Sequence, residues 1–181
     1  YNGATRFLKN IMGMWMLQCI HKETGGVHTF AEMAQMASQS AYPAYIDAAD
    51  NRFLAPQSML EEVKAALHDI HAPQPESLAD ILRAVTMGLA VCYDTSIREM
   101  SAITGKTFTS INIVGGGSAN VVLNQMTADV TGLPVYAGPT EGTALGNLAA
   151  QMIADGTFAD LAAFRRALPG SFEIREYLPK A

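Results

Sequence analysis

The sequence predicts a helix-rich α/β fold, and three observations predict it. "TSINIVGGG" and "LPVYAG" are short apolar runs, the first rich in β-branched residues, and a helical pattern follows each. The strand–helix–strand–helix order over residues 109–155 implies a parallel strand pair in an α/β layer. Upstream of Gly105 the apolar spacing is helical almost throughout, so helix outweighs strand.

Taken in order, "TRFLKNIMGMWMLQCIHK" (5–22) reads as a helix. Phe7, Leu8, Ile11, Trp15 and Cys19 form its inner face, Thr5 is a candidate cap, and Gly25-Gly26 ends it. Residues 28–39 predict a second helix with Phe30, Met33, Ala34 and Ala37 on one side. "AYPAYID" is an extended stretch before the polar turn "AADNR". Pro56 suits the first position of a third helix, and "HAPQP" is a break. The longest helix runs from Glu76 to about Ile103, with Gly105 closing it. A helix at 119–131 ends at Gly132. "PTEGTALGNLAAQMIADG" predicts another, with Thr140 as N-cap and Gly156 as stop. A short helix at 157–167 and an extended tail at 171–177 complete the chain.

The 181 residues suit one domain with a real core, and 49% apolar with 16% charged residues is globular composition. A net charge of −5 without a basic stripe argues against a nucleic-acid partner. No stretch reaches the roughly 18 apolar residues that a membrane span requires. "YNGATRFLKN" is neither a signal peptide nor a natural start, which suggests a tag upstream or a longer protein. Cys19 and Cys92 lie far apart without a CxxC pair, and read as two reduced core thiols of a cytoplasmic protein. His68 and His71 lack a third ligand nearby in sequence and read as a surface pair. Asp47, Asp50 and Asp69 read as turn or capping carboxylates, and Arg165-Arg166 as a surface pair. Asp129 is placed to pair with Gln125 or a strand N–H. Glu141 suits the first turn of a helix, and Gly142 and Gly146 suit close helix packing on the sheet.

Gly115-Gly116-Gly117 follow a strand and precede a helix, the usual ligand position in an α/β sheet. Glycines admit close backbone approach, and the helix start supplies N–H groups. Two phosphate-binding patterns are excluded. The dinucleotide fingerprint needs glycine where Asn120 stands, and no acidic residue ends a second strand about 20 residues on. "MSAITGKT" has Met100 where a P-loop needs its first glycine, and it follows a helix, so Gly105-Lys106-Thr107 reads as a helix end and turn.

"GGGSANVVLNQMTADVTGLPV" and "GPTEGTALGNLAAQ" together resemble the C-terminal signature of the FGGY carbohydrate kinases. "RFLKNIMGMWMLQ", "DNRFLAPQSM" and "PTEGTALGN" are similar to the rhamnulokinase branch of that family, so the resemblance runs over about residues 4–177. It implies an actin-like, ribonuclease H-like ATPase fold. It also implies ATP-dependent phosphorylation of L-rhamnulose at its 1-hydroxyl, with Mg²⁺ on the nucleotide. The resemblance assigns ATP binding to Asn10, Gln18 and Gly116, with Gly115, Gly117 and Asn120 as less direct members of the site. For Asn120, capping the following helix is the favoured role. On one helix, Asn10 and Gln18 would lie about 80° apart around the axis and border one pocket.

No catalytic residue or metal ligand is assigned within the chain. The resemblance places the catalytic base and most sugar contacts in an N-terminal domain, and precedes "RFLKN" with a β-meander that this chain does not carry. The expectation is therefore the nucleotide half of a two-domain kinase, with a sheet edge open to self-association. Two alternatives stay open: another FGGY kinase, for fuculose or xylulose, and a non-catalytic actin-like nucleotide-binding domain.

Overall fold

The computed structural model describes residues 7–180. It forms two compact units, Tyr1–Lys106 and Thr107–Ala181. The division falls in the turn after the longest helix.

The first unit is all helix: α1 (Trp15–Glu23), α2 (Phe30–Gln39), α3 (Met59–Asp69) and α4 (Leu78–Thr104), with a 3-10 turn at Asn51–Phe53. Its core joins Met16, Leu17 and Ile20 of α1 to Met33 and Ala37 of α2, Val63 and Leu67 of α3, and Leu82, Val85 and Leu89 of α4. Phe53 and Ile46 fill the centre from the connecting segment. Each large aliphatic side chain so buried contributes about 1.5–3 kcal/mol. Small residues let α2 and α4 pack closely, and Gly88 of α4 lies directly against the Ile46 carbonyl.

Two carboxylates, one from another helix and one from the helix itself, secure helix starts. Glu23, at the end of α1, accepts from the N–H groups of Met59 (2.5 Å) and Leu60 (3.1 Å) and from the Ser58 hydroxyl (2.9 Å). Burial pushes its carboxyl up, but these three donors outweigh burial and hold it below the usual carboxylate range. Asp80 accepts from Ser40 Oγ (2.6 Å) and from the N–H groups of Glu76 and Ser77 (both 3.1 Å). Those bonds, Ser40's foremost, also lower its pKa and fasten the end of α2 to the start of α4.

Glu23→Gln should therefore cost about 1 kcal/mol at neutral pH, a modest value because Glu23 is exposed. A carboxyl with a lowered folded pKa stabilises fully above its unfolded pKa and loses that contribution as pH falls through the folded value. The gap between wild type and variant in urea unfolding should thus close below about pH 4. A gap that is constant with pH would refute the capping role.

The second unit is the α/β layer: β1 (Ile111–Ile113), a 3-10 turn at Gly116–Ala119, α5 (Val121–Thr131), β2 (Val135–Ala137), α6 (Gly142–Ala154), α7 (Leu161–Ser171) and β3 (Arg175–Tyr177). β1 and β2 are parallel, with Ile111 opposite Val135 and Ile113 opposite Ala137. β3 pairs antiparallel with the other edge of β2. The expected tail is thus a sheet strand. Gln125 and Asp129 of α5 hold the residues just beyond β3, through Leu178 O and Lys180 N–H (both 2.8 Å).

Several expectations need correction. Residues 7–12 are not helical, and α1 starts only at Trp15. Gly13 adopts φ 57, a left-handed conformation that a continuous helix cannot contain. The inner face of α1 is Met16, Leu17 and Ile20, whereas Phe7, Leu8 and Trp15 are about half to two-thirds exposed (52%, 67% and 48%). The run "MGMWML" is apolar at nearly every position, so its spacing fits two phases equally well. Thr5 lies outside the described residues.

Pro56 precedes α3 rather than opening it, because the Ser58 hydroxyl caps the helix at Glu61 N–H (3.2 Å). Glu141, not Thr140, occupies the N-cap position of α6, without a side-chain cap bond. Asp160 caps α7 and shifts that helix to Leu161–Ser171. Gly142 does pack closely, since a Cβ there would sit 2.9 Å from Val114 Cβ, but Gly146 faces open space.

Candidate functional site

The glycine turn lies at the carboxyl end of β1, where α/β sheets commonly bind ligands. Gly115 takes φ 80, ψ −164, a conformation that side chains disfavour, and its N–H donates to Pro139 O (3.2 Å). That bond joins the turn to the segment after β2. Ser118 folds back on the same glycine, with its hydroxyl (2.7 Å) and its N–H (3.0 Å) both donating to Gly115 O. Asn120 N–H donates to Gly117 O (3.1 Å), and Asn120 Oδ1 accepts from Leu123 N–H (3.0 Å). The capping role expected for Asn120 is therefore observed.

Gly116 is exposed at the crest of this turn, and a Cβ placed there would meet nothing within 4 Å. The turn is tied down on both sides of a residue whose outward face is open. A hollow of about 340 Å³ adjoins it, lined by Ser118, Ala119, Gly138, Pro139 and Thr140, with Phe172 and the Arg175–Glu173 ion pair (2.6 Å) at its rim. Bare backbone, one half-exposed aromatic ring and a few polar atoms suit a flat, neutral ligand part better than a cluster of phosphates.

The other proposed nucleotide residues lie in the first unit. Gln18 is on α1 and exposed. Asn10 is exposed in the irregular stretch before α1, so the helical geometry predicted for the pair does not apply. A larger hollow in that unit, about 580 Å³, is lined by Lys9, Tyr45, Asp47, Cys92, Thr95 and Glu99 among others. Its charges are already answered within the protein: Lys9 pairs with Glu99, and Asp47 accepts from Ala49 N–H (2.9 Å). Both thiols are raised by burial, so neither is an activated nucleophile.

Among the described residues no group of three or more His, Cys, Asp or Glu side chains could hold a metal ion. His68 and His71 are exposed, and Asp47, Asp50 and Asp69 serve turns or the Arg52 ion pairs.

Sequence reasoning missed Asn124, which is fully buried on α5 and donates from Nδ2 to Ser118 O (2.9 Å). The signal was present: a polar residue one helical turn after Asn120, on the face that also carries buried Leu123 and Thr127.

A family model described as "FGGY family of carbohydrate kinases, C-terminal domain" matches residues 1–154. Curated proteins named rhamnulokinase align over nearly the whole chain. That of Ligilactobacillus salivarius is 37% identical over 179 residues, which is 98% of this chain and 37% of that protein. The Enterococcus faecalis protein is 41% identical over 95% of this chain and 35% of its own length. The Bacillus subtilis protein is 36% identical over 99% and 37%. The chain thus spans somewhat more than a third of the length of these relatives.

Proposed function

The chain belongs to the FGGY family of carbohydrate kinases, as a C-terminal domain, and we propose that it is the nucleotide-binding part of an ATP-dependent L-rhamnulose kinase. Its α/β fold is accordingly that of an actin-like ATPase domain. The observation that carries the proposal is the glycine turn, clamped at Gly115 and Ser118 and open at Gly116. The names of the relatives support the choice of sugar.

In this reading Gly116 lies against the adenosine, with Gly115 and Gly117 shaping the turn. Asn10 and Gln18, in the first unit, are proposed as further polar contacts to a nucleotide. Mg²⁺ carried on ATP would supply charge neutralisation at the transferring phosphoryl group. Phosphoryl transfer depends chiefly on positioning and electrostatics. The glycine turn offers positioning for the nucleoside. The base and most sugar contacts are proposed to come from residues outside this chain, in a cytoplasmic two-domain enzyme.

The 181-residue chain should therefore be inactive by itself. In a coupled ADP-release assay with ATP, Mg²⁺ and L-rhamnulose, it should give only the background rate. Turnover well above background, abolished by Gly116→Val, would overturn this division of labour.

A further inference from the structure

We infer that Asn124 is a positioning residue for nucleotide binding, holding the glycine turn in the shape that presents Gly116; this rests on the nucleotide reading above. Buried polar side chains elsewhere in the α-helices look after themselves. The hydroxyls of Thr86, Ser96 and Thr127 each donate to the carbonyl four residues earlier in their own helix (all 2.7 Å). Asn124 instead reaches out of α5 to the carbonyl of Ser118.

It does so at a cost to the core. The side chain is fully buried, and among the described residues no group donates to its Oδ1. An apolar side chain here would carry no such orphan acceptor, so packing alone does not explain an amide. What the amide provides is a continuous line of hydrogen bonds. It runs from α5 through Ser118 O, and then through the Ser118 hydroxyl and N–H, to Gly115 O. Gly116 lies between the two residues so fixed. Without this anchor the turn keeps the Gly115–Pro139 bond and the bonds of Ser118 and Asn120, but loses the side-chain bond from α5 to the Ser118 carbonyl.

The test uses the 181-residue chain with Asn124→Leu, Asn124→Ala and Gly116→Val, with ADP as the probe. Asn124→Leu should melt within a few degrees of wild type without ADP, because it removes the orphan Oδ1 but also takes the donor from the Ser118 carbonyl. It should nonetheless bind ADP about tenfold more weakly by calorimetry, the factor expected for one lost hydrogen bond. Amide exchange at Ser118 and Asn120 should quicken while α5 stays protected. Asn124→Ala, which leaves a cavity, should melt lower yet show the same loss of affinity. A purely structural role predicts the reverse split, with lower melting and wild-type affinity in the folded protein. Wild-type ADP affinity in either folded variant, beside lost binding in Gly116→Val, overturns the inference alone. Failure of the wild-type chain to bind ADP, or full binding by Gly116→Val, overturns the nucleotide reading and this inference with it.

Discussion

Gly116→Val should abolish the stabilisation that ADP gives this chain. A ligand at 100 times its Kd raises unfolding free energy by about 2.7 kcal/mol, several degrees in melting temperature. The valine should remove nearly all of that shift by occupying the place where adenosine is proposed to meet the backbone. The substitution is discriminating because it should do little else. A Cβ at Gly116 meets nothing within 4 Å, and Gly116 is not among the positive-φ glycines. Melting without ADP should therefore stay within about 0.5 kcal/mol of wild type. Gly115, at φ 80, gives no such clean test, since a side chain there strains the turn itself. Asn10→Ala and Gln18→Ala should weaken ADP binding by about 1 kcal/mol each, the scale of a neutral hydrogen bond. An undiminished ADP shift in Gly116→Val would remove the turn from the site.

Gly88→Ala should be the most destabilising single methyl addition in the first unit. Helix propensity alone favours the change by about 1 kcal/mol. The surroundings reverse it: the new Cβ would penetrate the contact surface of the Ile46 carbonyl oxygen and lie 3.2 Å from Ile46 Cδ1. A backbone oxygen cannot rotate aside as a side-chain tip can, so α4 and the segment through Ile46 must part. The net loss should be about 3 kcal/mol, or roughly 6–12 °C in thermal unfolding. Gly146→Ala is the contrasting case. It lies inside α6, where an added methyl would meet nothing within 4 Å, and should gain about 0.5–1 kcal/mol. Equal effects at the two positions would show that the contact at Gly88 does not govern the packing of α4.

Local chemistry explains which elements are legible in the sequence. α4 is legible because a wide apolar stripe ends at Gly105, and the parallel pair because two apolar runs each lead into an amphipathic helix. Gly132 and Asn120 bound α5 by capping rules that need no tertiary information. The failures arise where tertiary contacts choose among locally equal options. "MGMWML" offers a core face in either phase, and packing against α3 and α4 selects Met16, Leu17 and Ile20 over Trp15. β3 carries two exposed residues of three, so its pairing with β2 leaves no hydrophobic pattern to read.

The candidate site divides in the same way. The open glycine turn is legible from three glycines between a strand and a helix, and the cap at Asn120 from its position. Asn10 and Gln18 come from family resemblance alone, and the helix expected to carry both includes only Gln18. Asn124 is marked in the sequence only as a polar residue on a buried face, and its role emerges from the carbonyl it reaches.

Isothermal titration of the 181-residue chain, with ADP and then separately with L-rhamnulose, tests the central claim most directly. The account predicts saturable ADP binding that Gly116→Val eliminates, and no measurable heat from the sugar. Sugar binding without ADP binding would contradict it, because the chain would then be the sugar-recognising part of the enzyme and not its nucleotide-binding part.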